Sequence, residues 1–172
     1  MKAEDLRALQ EPLKAAYKED PAAAVATLHA RGTVNFETLA CNVDSPDTSN
    51  GVTSSGLHPK AGGDGQLACS GDMLLQSLVA CSGVTLAAVT TAMGLSISSA
   101  VVMAEGVMDF RGTLGVDRSV PIGLTSVSLT FQLATDEADD KIEKLIQLTE
   151  RYCVVLQTLA AGVSVTSQRG PA

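Results

Sequence analysis

The sequence predicts an α+β fold in which a mainly antiparallel sheet is set against one long buried helix. Three observations carry that prediction. No ionisable side chain other than cysteine occurs between Met73 and Ala104, so this stretch must be buried, and as a helix it is apolar on nearly every face. Val127, Leu129, Phe131 and Leu133 alternate with Ser126, Ser128, Thr130 and Gln132, the period-two pattern of a half-buried strand. Helical and extended patterns are partly segregated along the chain rather than strictly alternating, which favours antiparallel pairing.

Taken in order, Leu6, Leu9, Leu13, Ala16 and Tyr17 recur at helical spacing. Residues 3–18 are therefore expected to form an amphipathic helix with Pro12 as a bend or break, and residues 1–20 a helical extension of a single domain over residues 1–172. From Ala24 to Val43, Val34, Phe36 and Thr38 alternate with Asn35 and Glu37, which predicts one or two strands around a turn at Arg31-Gly32. Residues 44–71, rich in Ser, Asp, Gly and Pro, read as a long loop of the kind that is usually functional or disordered. Its GGDG run lacks the Gly-Lys-Ser/Thr of a phosphate cradle and the spacing of a dinucleotide fingerprint.

The central helix is expected over 72–93, about 33 Å long. That length would also span a membrane. However, Gln76, Ser77, Ser82, Gly83, Thr85, Thr90 and Thr91 interrupt the apolar run, and no Lys/Arg cluster flanks it, so a core helix is the preferred reading and no membrane partner is expected. Beyond Gly94, Ile97, Val101, Val102, Val107 and Met108 predict a strand with a bend at Gly106, followed by a turn in DFRGTLG. After the alternating strand, Thr135 or Asp136 is the expected N-cap of a helix with Glu137 and Asp139 in its first turn. A second helical stretch, ERYCVVLQTLAAG, should stop at Gly162, and VSVTS is expected as a last short strand.

Composition narrows the function classes. In 172 residues, 45% are hydrophobic but only 3% aromatic, so the core must be built from small aliphatic side chains and a partner subunit would help to bury them. A net charge of −7 argues against nucleic acid, whose binding relies on clustered Lys and Arg. The charged N-terminal segment lacks the apolar core of a secretory signal, which makes the cytoplasm the expected compartment. In such a reducing compartment four cysteines are more readily free, metal-bound or catalytic than disulfide-bonded.

Spacing disfavours metal. Gaps of 28, 12 and 72 residues separate Cys41, Cys69, Cys81 and Cys153, without a C-x-x-C pair and with only His29 and His58 to assist. Neither histidine lies in a motif that would set it beside a nucleophilic cysteine. Thiol redox chemistry remains, and Cys81 and Cys153 are its best candidates. Cys81 lies in mid-helix with Ser77 and Thr85 four residues to either side, a polar stripe on an apolar helix. Cys153 follows Glu150-Arg151-Tyr152 near a helical boundary. Cys41 and Cys69 are read as structural; in a continuous helix Cys69 and Cys81 would be about 18 Å apart, too far for a disulfide.

With these residues in hand, GDMLLQSLVAC ending in Cys81, the DFRGTLG turn and ERYCVVLQTL around Cys153 resemble the OsmC/Ohr family of osmotically induced and organic-hydroperoxide-resistance proteins. The resemblance spans roughly residues 25–166. It implies an intertwined homodimer with sheet wrapped around each central helix and active sites at the subunit interface. It further implies a thiol peroxidase without a bound cofactor, in which Cys81 is peroxidatic, Cys153 resolving, and an external thiol or dithiol, such as a lipoylated protein, the reductant. A non-catalytic relative that binds a small apolar ligand or senses redox state is the alternative. Family members usually steady the thiolate with an arginine ordered by an acidic residue. Arg31 and Asp72 are the candidates here, with Arg111 read as structural and Val154 standing where proline is common after the resolving cysteine.

Overall fold

The computed structural model describes residues 1–45 and 51–169. Among the described residues the chain forms five α-helices, α1 (Ala3–Glu19), α2 (Ser70–Met93), α3 (Phe110–Thr113), α4 (Asp139–Tyr152) and α5 (Val154–Ala161). Five strands accompany them among the described residues: β1 (Arg31–Asn35), β2 (Ala40–Asp44), β3 (Thr53–Ser55), β4 (Ser99–Met108) and β5 (Leu124–Ala134). All strand pairs are antiparallel, but they form two separate sheets, one of order β1-β2-β3 and one β4-β5 hairpin. The α+β class and the antiparallel pairing thus agree with the sequence.

Helix α1 runs through Pro12 without a break. The turn between the first two strands lies at residues 36–39 rather than at Arg31-Gly32, which is part of β1. The cause is Asn35, whose side-chain oxygen accepts the N–H groups of Glu37 and Thr38 at 2.9 and 3.0 Å and so closes a local turn. The long loop contains β3 and a 3-10 turn at Pro59–Ala61. Its residues 46–50 lie outside the described residues.

Helix α2 begins at Ser70, two residues before its expected start, and ends at Gly94, whose φ of 66° suits a left-handed cap. It packs against α4, α5, β4 and α1. At Gly106 the hairpin comes so close to α2 that a Cβ would meet Leu75 and Leu124 at 3.1–3.2 Å. The expectation that α2 is covered on nearly every face is corrected: within one chain only Leu78, Ser82 and Leu86 are buried, and Val84 is 72% exposed. Their spacing of four puts them on one stripe, and one chain covers only that side. By length and composition alone α2 could also cross a membrane.

Further on, DFRG is a one-turn helix rather than a plain turn, with Asp109 accepting the Arg111 N–H at 3.0 Å. Helix α4 starts at Asp139 with Ala138 as its N-cap, not at Thr135 or Asp136. Thr135 and Glu137 are engaged elsewhere: the Thr135 hydroxyl donates to the Ser96 carbonyl at 2.7 Å, and the Glu137 carboxylate accepts the Ser96 N–H at 3.0 Å. The helical stretch around Cys153 is divided by that residue into α4 and α5, and α5 ends at Gly162 as expected. VSVTS is not a strand; it pairs with no strand among the described residues.

Candidate active site

The buried centre is built from two stripes of residues, each spaced by four. Leu78, Ser82 and Leu86 form the inner stripe of α2; Leu145, Thr149 and Cys153 continue down α4 to its C-terminal cap. Where they cross, the Ser82 Oγ and Cys153 Sγ lie 3.3 Å apart, and both residues have no exposed surface. The Thr149 hydroxyl is satisfied by the Leu145 carbonyl at 2.8 Å. Every buried polar group here therefore has a partner, which a dry core requires.

Cys81 occupies the neighbouring stripe of α2 and is half-buried. Burial pushes the Cys81 thiol up, but hydrogen bonding from the Val155 amide, the Cys153 thiol, the Val154 amide and the Thr85 hydroxyl outweighs it and holds its pKa below the ordinary thiol value. All four cysteines are free. A thiol favoured as thiolate is equipped for oxidation to a sulfenic acid, and a second free thiol on a neighbouring element could close a disulfide with it.

The other residues singled out in the sequence lie elsewhere in the chain. Arg31 is exposed on β1 and forms a two-pronged ion pair with Asp44, at 2.6 and 3.3 Å, which holds the Asp44 carboxyl below the usual carboxylate range. Asp72 sits in the first turn of α2 and accepts the Cys69 N–H at 3.1 Å, so it caps the helix. It is nine residues from Cys81 on a continuous helix, about 180° round the axis. Among the described residues no hydrogen bond or ion pair joins Arg31 or Asp72 to Cys81. Arg111 is bound to Asp109 at 2.6 Å.

Cys69 is the N-cap of α2, and Cys41 lies over Gly32, where a Cβ would come within 2.8 Å of its sulfur. His58 accepts the Lys60 N–H through Nδ1 at 3.0 Å and stacks on Phe110. No group of three or more His, Cys, Asp or Glu among the described residues is arranged to hold a metal ion.

Three contributors escaped the sequence reading: Ser82 and the two α5 amides. A small polar residue directly after Cys81 on an apolar helix was the available signal for Ser82. The amides have no sequence signature, because any residue but proline supplies one. A cavity of about 610 Å³ opens between α2, β5 and the α4–α5 segment; it is lined by Leu74, Leu78, Leu124, Leu129, Leu156 and Leu159 with Glu150, and not by Cys81 or Cys153. Leu78 is one helical turn from Cys81.

Comparison with known proteins gives this arrangement its context. The family described as OsmC-like protein matches residues 63–168, from before α2 to beyond α5. Among solved structures, an OsmC-like protein from Mycoplasma pneumoniae superposes with a TM-score of 0.65 at 17% identity, over 80% of this chain and 89% of that one. An organic hydroperoxide resistance protein from Elizabethkingia anophelis gives 0.63 at 15% identity, over 80% and 91%. One from Legionella pneumophila gives 0.60 at 14% identity, over 78% and 90%. No curated protein sequence matches. These structures share the fold, and the family match covers more than half of the chain, including both Cys81 and Cys153: the protein belongs to the OsmC/Ohr family.

Proposed function

We propose that the protein is a thiol-dependent peroxidase that reduces organic hydroperoxides. The observation that carries this reading is that Cys81 and Cys153, both free, flank the same crossing of α2 with α4, where Ser82, the residue after Cys81, lies 3.3 Å from the Cys153 sulfur. The Cys81 thiolate attacks the distal oxygen of the hydroperoxide; the O–O bond breaks, the alkoxide leaves and takes up a proton as an alcohol, and Cys81 becomes a sulfenic acid. The Cys153 thiol then displaces water from that sulfenic acid to form the disulfide. A dithiol reductant, such as a lipoylated protein, restores both thiols and leaves oxidised.

The leucine-lined cavity supports an apolar substituent on the substrate. The large exposed area of α2 supports a homodimer, since an uncovered apolar helix needs a partner surface. Arg31 enters this reading as the arginine that would steady a thiolate of the neighbouring chain and Asp72 as the acidic residue that would order it, and the cytoplasm is its compartment. Consumption of cumene or tert-butyl hydroperoxide with dithiothreitol or a lipoyl donor tests it: wild type is expected to turn over, and Cys81→Ser to fall to background. The second reading, a redox sensor or binder of a small apolar ligand, rests on the same cavity and predicts oxidation or binding without turnover.

A further inference from the structure

The leucine-lined cavity between α2, β5 and the α4–α5 segment holds no thiol, yet its wall carries a charge. Glu150, in the last turn of α4, is the one ionisable residue that lines it among the described residues. The two other polar liners, Thr125 and Ser126, are neutral, and the Thr125 hydroxyl already donates to the Val107 carbonyl at 3.2 Å. Everything else in the wall is aliphatic.

Among the described residues nothing neutralises that charge. The Glu150 carboxylate enters no hydrogen bond or ion pair; the main-chain carbonyl of Glu150 accepts the Gln157 side-chain amide at 3.0 Å, which fastens the end of α4 to α5 and fixes the wall. The adjacent cation, Arg151, lies over the Tyr152 ring, 5.5 Å from its centroid. Glu150 also stands at the C-terminal end of α4, where the helix dipole adds negative potential and favours a cation. An apolar chamber of about 610 Å³, within the size range of small-molecule sites, thus has an uncompensated carboxylate at its rim, since Glu150 is exposed to solvent.

We propose that this cavity binds a small cationic amphiphile, with the hydrocarbon part among the leucines and a protonated amine on Glu150. Burial among leucines supplies affinity for any apolar tail. The carboxylate supplies the choice of head group: an amine gains an ion pair there, an alcohol gains none, and a carboxylate is repelled. The site rests on the cavity and not on thiol chemistry, and it stands whether or not the protein turns over a peroxide.

Titration calorimetry of the wild-type protein with octylamine, octanol and octanoate at neutral pH tests it. Octylamine is expected to bind about three- to fivefold more tightly than octanol, the size of an exposed ion pair, and octanoate more weakly than either. In Glu150→Gln, which keeps the shape of the side chain and removes its charge, the amine and the alcohol should bind alike. Ala160→Leu, which adds bulk to the cavity wall, should weaken all three together.

Equal binding of octylamine and octanol by the wild type overturns the proposal. So does an amine preference that survives in Glu150→Gln, since general attraction to a chain of net charge −7 then suffices. Binding of none of the probes overturns it as well, and is the result expected if a second copy fills the cavity. Should Glu150→Gln not fold, methyl NMR of the wild type decides: octylamine must shift the Leu78 and Leu129 methyl resonances, and shifts confined to other residues refute the site.

Discussion

The Ser82 hydroxyl and the Cys153 thiol, 71 residues apart in the chain, lie 3.3 Å from each other in the fully buried crossing of α2 with α4. A buried thiol with a hydroxyl partner is held in one orientation, and here that partner directly follows Cys81 on α2. Ser82→Ala leaves Cys153 without its oxygen partner and should lower stability by about 1 kcal/mol. It should also slow disulfide closure while leaving sulfenic acid formation unchanged. Denaturant melts measure the first effect; dimedone trapping against disulfide yield after one equivalent of peroxide measures the second.

The roles of the two thiols are separable by single replacements. In Cys153→Ser one round of peroxide reduction should proceed, and the Cys81 sulfenic acid should persist long enough to be trapped. No intramolecular disulfide should form. In Cys81→Ser neither product should appear. Intact-mass spectrometry of each variant after one equivalent of peroxide reads both outcomes, and an undiminished disulfide yield in Cys153→Ser contradicts its resolving role.

The pH dependence follows from the direction of the Cys81 shift. Its folded pKa lies below the ordinary thiol value, so the rate of its reaction with peroxide should rise with pH through a midpoint below that of an ordinary thiol. The linked stability has a fixed sign. A group with a depressed pKa contributes stability that is fully present above the unfolded pKa and is lost as pH falls through the folded one. The melting temperatures of wild type and Cys81→Ala should therefore diverge as pH rises through that window, with wild type gaining; a constant gap contradicts the shift.

Arg31 discriminates between help from the same chain and help from a second one. Its guanidinium is occupied by Asp44 on an exposed strand pair. Arg31→Ala is expected to leave the melting temperature near wild type and to raise the pH midpoint of Cys81 alkylation, because the peroxidase reading sets Arg31 on the thiolate of a neighbouring chain. An unchanged midpoint removes Arg31 from the site.

In the core, Leu145→Ala should cost about 2–5 kcal/mol, because Leu145 has no exposed surface and truncation leaves a cavity beneath α2. Leu9→Ala, by contrast, removes a side chain that is 62% exposed and should be close to neutral within one chain. A large loss at Leu9 in urea melts would show that α1 is covered by another copy.

The periodicities of α1, α2 and β5 and the stop at Gly94 were legible in the residues, because helix and strand spacing and glycine caps are local properties of a chain. The turn at 36–39, the late start of α4 and the irregular ending were not. They hinge on whether Asn35, Thr135 and Glu137 spend their hydrogen bonds locally or on a distant segment such as Ser96. Tertiary structure alone decided that Ser82 would meet Cys153. That contact exists only where α2 crosses the α4–α5 junction, and a crossing is set by how two buried stripes interlock, which neither stripe encodes by itself.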